Sequence, residues 1–326
     1  MSTVTQEAGP ATPAGPASPL SERRPLGDRT FQIIALAAGL LVLVILVLIA
    51  FSTTQQAAPW FKAEGWGIFG KTWNPASNQF GALAFIYGTA ITAVIALIMS
   101  VPVSVAIALL LTEVVPYRIA RPIVYVIDLL AVVPSVVWGL WGILVFAPWI
   151  AKIYAHIGSA VTGIPVLDSL FGPPTSGASF FTAGIILAFM ITPIVTSLSR
   201  EVIATVPTID KEGAYALGAT RLEMITGAIW PHSKGGITGA VLLGLGRAMG
   251  ETIAAALVIG SSATITSHLF APGDSMPAVI ANQFGEASGT FRAALIGLGV
   301  LLFAFTIIVN VIARAIVGRS AEQGSA

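Results

Sequence analysis

The sequence predicts an all-α integral membrane protein with six transmembrane helices. Three observations carry that expectation. Of the 326 residues, 56% are hydrophobic and only 10% are charged. The mean hydropathy is +0.89. Six apolar stretches are each long enough to cross a hydrocarbon core of roughly 30 Å at about 1.5 Å per residue. Other classes are excluded by composition. With no cysteine the chain forms no disulfide, thiolate metal site or iron–sulfur cluster. His156, His232 and His268 lack a second ligand at helical spacing, so neither a metal nor a cofactor is expected. A net charge of +1 without a dense basic run gives no reason to expect nucleic acid.

Residues 1–30 are rich in Pro, Ala, Gly, Ser and Thr and bury too little apolar surface to offset ordering entropy, so a disordered cytoplasmic tail is expected there. Residues 31–326 form the expected six-helix domain, with a core over 82–317. The first span, Phe31 to Phe51, is too long and too far from the start for a cleaved signal peptide. An external loop follows, carrying Trp60, Phe61, Trp66, Phe69 and Trp73. Such aromatic content predicts a loop lying on the membrane surface or packed over the bundle. The next spans are Ala82 to Leu111 and Ile123 to Ala147. An irregular loop with Pro165, Pro173 and Pro174 precedes Phe180 to Leu198, and the last two spans are Gly236 to Ile259 and Ala294 to Val317.

Orientation follows from the basic residues, which are retained on the cytoplasmic side of short loops. Placing the N-terminus inside puts Arg23, Arg24, Arg29, Arg118, Arg121, Arg200, Lys211, Arg221, Lys234, Arg314 and Arg319 inside, against Lys62, Lys71, Lys152 and Arg292 outside. Both termini are then cytoplasmic. The remaining cation, Arg247, falls within a span.

Gly65 to Thr72, GWGIFGKT, matches the phosphate-binding P-loop pattern, and Gly65, Gly67 and Gly70 match a dinucleotide fingerprint. Both motifs need a preceding strand and a following helix whose N-terminus receives phosphate. Here Trp73, Asn74 and Pro75 follow, and the segment is expected outside the cell, so both matches are set aside.

The segment 208–231 is the polar exception in an apolar chain. Thr208 is placed to cap a helix whose first turn holds Asp210 and Glu212, and Gly218 to end it in the left-handed conformation. Thr220 and Glu223 form a capping box for a second short helix, which Pro231 is expected to end. A DNA-reading helix-turn-helix would need many more phosphate-neutralising cations than Lys211, Arg221 and Lys234. The spacing of Glu212, Ala214, Gly218 and Pro231 resembles the EAA motif of ABC importer permeases, with Gly213, Ala228 and Trp230 departing from the usual Ala, Ile and Leu. That resemblance implies helices that dock into a groove of a separate ATPase, with Arg221 on the same surface.

Arg247 stands eleven residues into the fifth expected span, about 16 Å along the helix. A charge at that depth costs at least about 2.5–3.5 kcal/mol, so it should face protein or water, with Glu251 four residues on as the expected partner on the same face. Gly236, Gly244, Gly246 and Gly250 strip bulk from this helix and suit close packing around a narrow polar path. A guanidinium offers planar, permanent donors to an oxyanion. Asp128, early in the third span, is expected to reach the cytoplasmic surface rather than join the path.

Four further segments extend the resemblance: TWNPASNQFGALAFIYGT (Thr72 to Thr89), VPSVVWGLWGILVFAP (Val133 to Pro148), LGLGRAMGETIAAALVIG (Leu243 to Gly260) and LLFAFTIIVNVIARAIV in the last span. With the EAA-like segment they are similar to PstC, the permease family of bacterial phosphate ABC importers. The resemblance implies a type I importer fold with cytoplasmic coupling helices in the bacterial plasma membrane. It implies a sister permease (PstA-like), an ATPase dimer (PstB-like) and an external phosphate-binding protein (PstS-like), with Arg247 and Glu251 matching the family's charged pair for phosphate passage. The chain carries no ATPase of its own, so it is expected to be a transport subunit and not an enzyme. A permease for sulfate, molybdate or phosphonate, a PstA-type sister subunit and an ion-driven anion carrier are the alternatives. A membrane phosphatase or transferase would need His or paired acids clustered at one membrane surface, which the sequence lacks.

Overall fold

The structure, a computed structural model, describes residues 26–172 and 176–322. The chain divides into two units, residues 1–50 and 51–326. Most of the expected tail lies outside the described residues, as do Pro173 and Pro174. Helix α1 (Leu26–Glu64) starts five residues before the apolar stretch and runs on past Phe51, so the first half of the expected external loop is helical. Beyond it come a 3₁₀ turn at Gly65–Phe69 and a two-residue antiparallel pairing, β1 (Trp73–Asn74) with β2 (Gln79–Phe80), in register Trp73 to Phe80. The order is thus helix, 3₁₀ turn, strand, which is not the strand–loop–helix a P-loop requires.

Within the second unit the aromatic segment packs onto the helices Leu83–Leu109, Met276–Gln283 and Gly289–Glu322. Trp60 is fully buried and its Nε1 donates to Phe80 O at 3.1 Å. Trp73 meets Phe80, Phe85 and Phe291 edge-on and donates to Gln283 Oε1 at 3.0 Å. Trp66 is exposed, as suits a ring at a membrane–water boundary.

Helix α2 (Leu83–Leu109) closes in a π-turn at Leu110–Val114, then α3 (Tyr117–Ala131) begins after Pro116. The third apolar stretch is cut at Pro134, whose ring pushes the chain out of helix. The crossing segment is instead α4 (Ser135–Trp141), a π-turn at Gly142–Phe146 and α5 (Ala147–Val161), without interruption. Short α6 (Pro165–Phe171) leads to α7 (Phe180–Ala204), capped by Ser179 Oγ accepting from Thr182 N. Helix α7 is the centre of the main core, with Ile186, Ile191 and Val195 fully buried. It lies against α2, where Thr192 Oγ1 donates to Ser100 Oγ at 3.0 Å and Ser104 Oγ to Thr192 O at 3.2 Å.

Two short helices follow, α8 (Thr208–Ala216) and α9 (Arg221–Met224). A π-turn at Ile225–Ile229 and α10 (Trp230–Gly250) come next. The fifth expected span is broken: α10 stops at Gly250, Glu251 is extended (φ −69°, ψ 122°), and α11 (Ile253–Val258) starts a separate short helix. Irregular backbone at membrane depth persists only where protein covers it. Here Ala254, Ala255 and Val258 are buried, and a Cβ at Gly139 would lie 2.7 Å from Leu257 Cδ1, so α11 sits tightly on α4. A connection over Gly260–Ser275 leads to α12 (Met276–Gln283) and the long α13 (Gly289–Glu322). Among the described residues, five helices are long and apolar enough to cross a membrane: Arg29–Phe69, Leu83–Val114, Ser135–Val161, Phe180–Ala204 and Gly289–Ala315. The broken α10–α11 pair occupies the remaining expected stretch.

Asp274 anchors the 260–275 connection. It is 4% exposed, accepts from Ser275 N at 2.8 Å, and its carbonyl presses on Gly88, where any side chain would collide. Burial pushes its carboxyl up to about 7 against the lowering pull of the Ser275 amide. A carboxyl raised on folding stabilises below its unfolded pKa of about 3.9, and that contribution is lost as pH rises through the folded value. The melting temperature of the purified protein is therefore expected to fall between about pH 4 and about pH 7, and Asp274→Asn to flatten that fall. An unchanged slope in the variant would refute the assignment.

Candidate translocation and docking site

The helix pair α8–α9 forms much as its sequence dictates. Pro207 takes the N-cap position and Thr208 is the first helical residue, so Thr208 does not cap; the φ fixed by proline does that work. At the other end Gly218 has φ +84°, with Gly218 N donating to Tyr215 O and Ala219 N to Ala214 O, the double closure of a Schellman motif. Thr220 and Glu223 make the capping box in both directions, with Thr220 N to Glu223 Oε2 at 2.7 Å and Glu223 N to Thr220 Oγ1 at 3.4 Å. The Thr220 amide, and after it the Thr220 hydroxyl, both donating to Glu223 Oε2, hold the Glu223 carboxyl below its usual range.

The pair rests on a small core of Ala108, Ile203, Val206, Met224, Ile229 and Ile237, against which Ala214 packs. Lys211 Nζ reaches Glu113 Oε1 at 2.5 Å, tying α8 to the π-turn that ends α2. Glu212, Gly218, Arg221 and Pro231 are exposed. So are Ile209, Leu217 and Leu222, with Leu217 91% accessible. Three large apolar side chains held outward by capped helices form a surface suited to a protein partner.

Pro231 does not end the second helix. From Arg221 to Gly250 the chain is one continuous helix, thirty residues or about 45 Å long. The wider π-turn at Ile225–Ile229 precedes the proline, which takes an N1/N2 position of α10, where a missing N–H is tolerated. Leu222 and Arg247 thus belong to one rod, with Ile209 and Leu217 beside it on α8.

Arg247 lies in the last turn of α10. The break at Glu251 leaves the final carbonyls of α10 outside the helix ladder, and their partial negative charge favours a cation in that turn. Glu251 itself turns away: Oε1 accepts from Ala254 N at 3.3 Å, heading α11. No hydrogen bond or ion pair joins Arg247 to Glu251 among the described residues. The same-face pairing expected from their spacing assumed an unbroken helix.

Arg247 opens onto a groove between α10 and α13. One cavity of about 520 Å³ is lined by Gly246, Arg247, Asn310 and Arg314, and an adjoining one of about 420 Å³ by Glu201, Gly236, Gly239 and Arg314, with Leu243 in both. Asn310 and Arg314 are one turn apart on α13 and join Arg247 across the groove. Beyond a polar i, i+4 pair in the last span, nothing in the periodicity of the chain marks this meeting. Gly236 and Gly244 do admit α7 closely: Cβ atoms there would lie 2.5 Å from Val202 Cγ1 and 2.7 Å from Val195 Cγ2. Among the described residues, a Cβ at Gly246 or Gly250 would meet nothing within 4 Å. Asp128 is exposed on α3 and accepts from Ser197 Oγ at 3.2 Å, away from this groove.

Comparison with known proteins fixes the class. Residues 80–321 match the family described as binding-protein-dependent transport system inner membrane component, and the chain belongs to that family. The curated relatives it resembles include the phosphate transport system permease protein PstC of Xylella fastidiosa, 42% identical over 301 residues covering 91% of this chain and 93% of the relative. The PstC proteins of Mesorhizobium japonicum (42% over 294 residues, 89% of each chain) and Haemophilus influenzae (41% over 280 residues, 85% and 89%) are similar to the same extent. Among solved structures, a chain of a bacterial ABC transporter involved in alginate import aligns with TM-score 0.56 at 14% identity over 89% of this chain and 96% of that one. In its complex with an alginate-bound periplasmic protein the values are 0.56 and 16% over 91% and 98%. The protein is a multi-pass inner-membrane transport subunit with an ABC importer permease fold.

A side chain at Gly218 would be strained in the left-handed region by about 1–2 kcal/mol. Gly218→Val is therefore expected to speed amide hydrogen exchange across Thr208–Ala216 by about tenfold while leaving α7 unchanged. Equal exchange in both proteins would show that the Schellman closure does not hold the pair.

Proposed function

We propose that this chain is the membrane permease subunit of an ATP-driven importer of inorganic phosphate, lining the translocation path together with a sister permease. The observation that carries the reading is the groove in which Arg247 and Arg314 face one space. Two guanidinia offer forked donors to a tetrahedral oxyanion, and Asn310 adds a neutral one. The phosphate transport permeases among its relatives support phosphate as the oxyanion.

The groove opens at the surface of this chain, and Arg247 is exposed there. Left against lipid, that charge would cost at least about 2.5–3.5 kcal/mol. A second permease covering the α10–α13 face removes the cost and turns the groove into a channel. At and beside the opposite end of the rod, the Ile209, Leu217 and Leu222 surface with Glu212, Ala214, Gly218 and Arg221 is the docking site for an ATPase dimer. An external binding protein delivers phosphate. Both termini then lie in the cytoplasm of a bacterial cell.

The cycle follows from the rod. Closure of the ATPases displaces α8–α9, and α9 carries α10 with it. Arg247 then moves against Asn310 and Arg314 on α13. Phosphate need only bind the two arrangements unequally for transport to be driven. Glu201, lining the lower cavity beside Arg314, favours release by repulsion. Glu251 fixes the break that places Arg247 at a helix end.

The test is uptake of radiolabelled phosphate into vesicles holding this chain with its sister permease, ATPase and binding protein. Uptake is expected to require ATP and to ignore excess sulfate. Arg247→Gln is expected to lower it at least about tenfold, and Arg314→Gln by a smaller factor. Sulfate competition would point to another oxyanion, and uptake without ATP to an ion-driven carrier.

A further inference from the structure

A second basic cavity lies away from the α10–α13 groove. It has a volume of about 310 Å³ and is formed where the π-turn ending α2, the start of α3 and the end of α7 meet. Its polar lining is Thr112, Tyr117, Arg121, Tyr125 and Arg200, and no carboxylate is among its lining residues. Arg121 Nε and Nη2 both donate to Tyr125 Oη at 3.2 Å, and its Cζ lies 5.7 Å from the tyrosine ring centroid. That holds the guanidinium plane and leaves its other donors unused. Arg200 is half-buried and makes no hydrogen bond or ion pair with any described residue.

The acids near these arginines are engaged elsewhere or face another way. Glu113 is bound to Lys211, Asp128 takes the Ser197 hydroxyl, and Glu201 lines the lower cavity of the α10–α13 groove. The head of α3 adds to the positive field. Ile119 N and Ala120 N bond to Pro116 O, while Tyr117 and Arg118 head a fifteen-residue helix with amides outside its ladder. A half-buried guanidinium without a counter-charge is unfavourable unless an anion joins it.

We propose that this cavity binds a phosphoryl anion, held by Arg121 and Arg200 with the Tyr117 end of α3 beside it. Forked guanidinium donors and a helix N-terminus are the groups that phosphate oxygens select. The cavity lies at the ends of α2 and α7, the level of lipid headgroups on the α8–α9 face. An anionic phospholipid and free inorganic phosphate present the same chemistry there. Either would act next to the Lys211–Glu113 contact that seats α8. The proposal does not depend on what travels through the α10–α13 groove.

The experiment compares full-length protein, purified with its partner subunits, as wild type, Arg121→Gln/Arg200→Gln and Arg118→Gln. Arg118 is exposed and does not line the cavity. One arm counts phosphatidylglycerol retained per complex by native mass spectrometry after transfer from phosphatidylglycerol-containing bilayers. The other measures orthophosphate binding in pure phosphatidylcholine discs. Arg247 and Arg314 are intact in all three proteins, so any difference belongs to this cavity. The double variant is expected to hold the lipid at least about tenfold more weakly than wild type and Arg118→Gln. A tenfold loss confined to orthophosphate also supports the site, with free phosphate as its ligand. No difference in either arm overturns it. Should the double variant fail to assemble, Arg121→Lys/Arg200→Lys keeps the charge without the fork. Weakened binding there supports the site, and unchanged binding in both arms overturns it.

Discussion

A permanent cation inside an apolar stretch expected to cross the membrane is the constraint on which the rest of this structure depends. Arg247 cannot be neutralised at any accessible pH, and lipid would penalise it, so neighbouring structure must accommodate it. The break at Gly250–Glu251 puts the arginine in a helix's last turn, where backbone carbonyls favour it. It also frees the Glu251 carboxylate to head α11. The buried seat of α11 on α4 and α7 follows, since only protein cover makes a broken helix tolerable at that depth. Gly139 and Gly142 are what let that seat form: Cβ atoms there would lie 2.7 Å from Leu257 Cδ1 and Val258 Cγ1.

The second consequence is mechanical. The proline in the Arg221–Gly250 helix is one that on sequence grounds should stop it, yet the π-turn before it keeps the helix whole. Leu222 on the exposed apolar face and Arg247 are thereby joined by hydrogen-bonded backbone, not by a loop. Lys211–Glu113 and the small core under α8–α9 seat the docking end on α2 and α7. Gly236 and Gly244 bring the shaft against α7, with Val202 and Val195 seated over the two glycines.

Much of this was legible in the sequence, for identifiable reasons. Capping residues act locally, so Gly218 and the Thr220–Glu223 box behave as their spacing says. Apolar length is also a local property, and the stretches at α2, α7 and α13 cross as expected. What escaped depended on tertiary context. Pro134 and Glu251 each sit inside a long apolar run, and hydropathy cannot distinguish a continuous span from two pieces covered by neighbours. Pro231 carries a breaker's signature, and the compensating π-turn has none. The likeness of GRAMGE to a single helical face placed Glu251 beside Arg247, whereas Asn310 and Arg314 come to the groove from α13, sixty residues away in sequence. Pairing across helices is not written in the periodicity of either one.

Helix α9 and Arg247 are expected to move as one body. That joint movement is tested most directly by electron–electron distance measurement between spin labels at Leu222→Cys and Leu243→Cys in the assembled importer, with and without ATP. The chain has no native cysteine, so once it is labelled before assembly only these two of its sites carry spin labels. Both residues are exposed in this chain, and twenty-one residues of continuous helix separate them by about 32 Å. The account predicts one narrow distance distribution that is the same in both nucleotide states. A shift of about 5 Å or more, one helical turn, would place a hinge at the Ile225–Ile229 π-turn and contradict it.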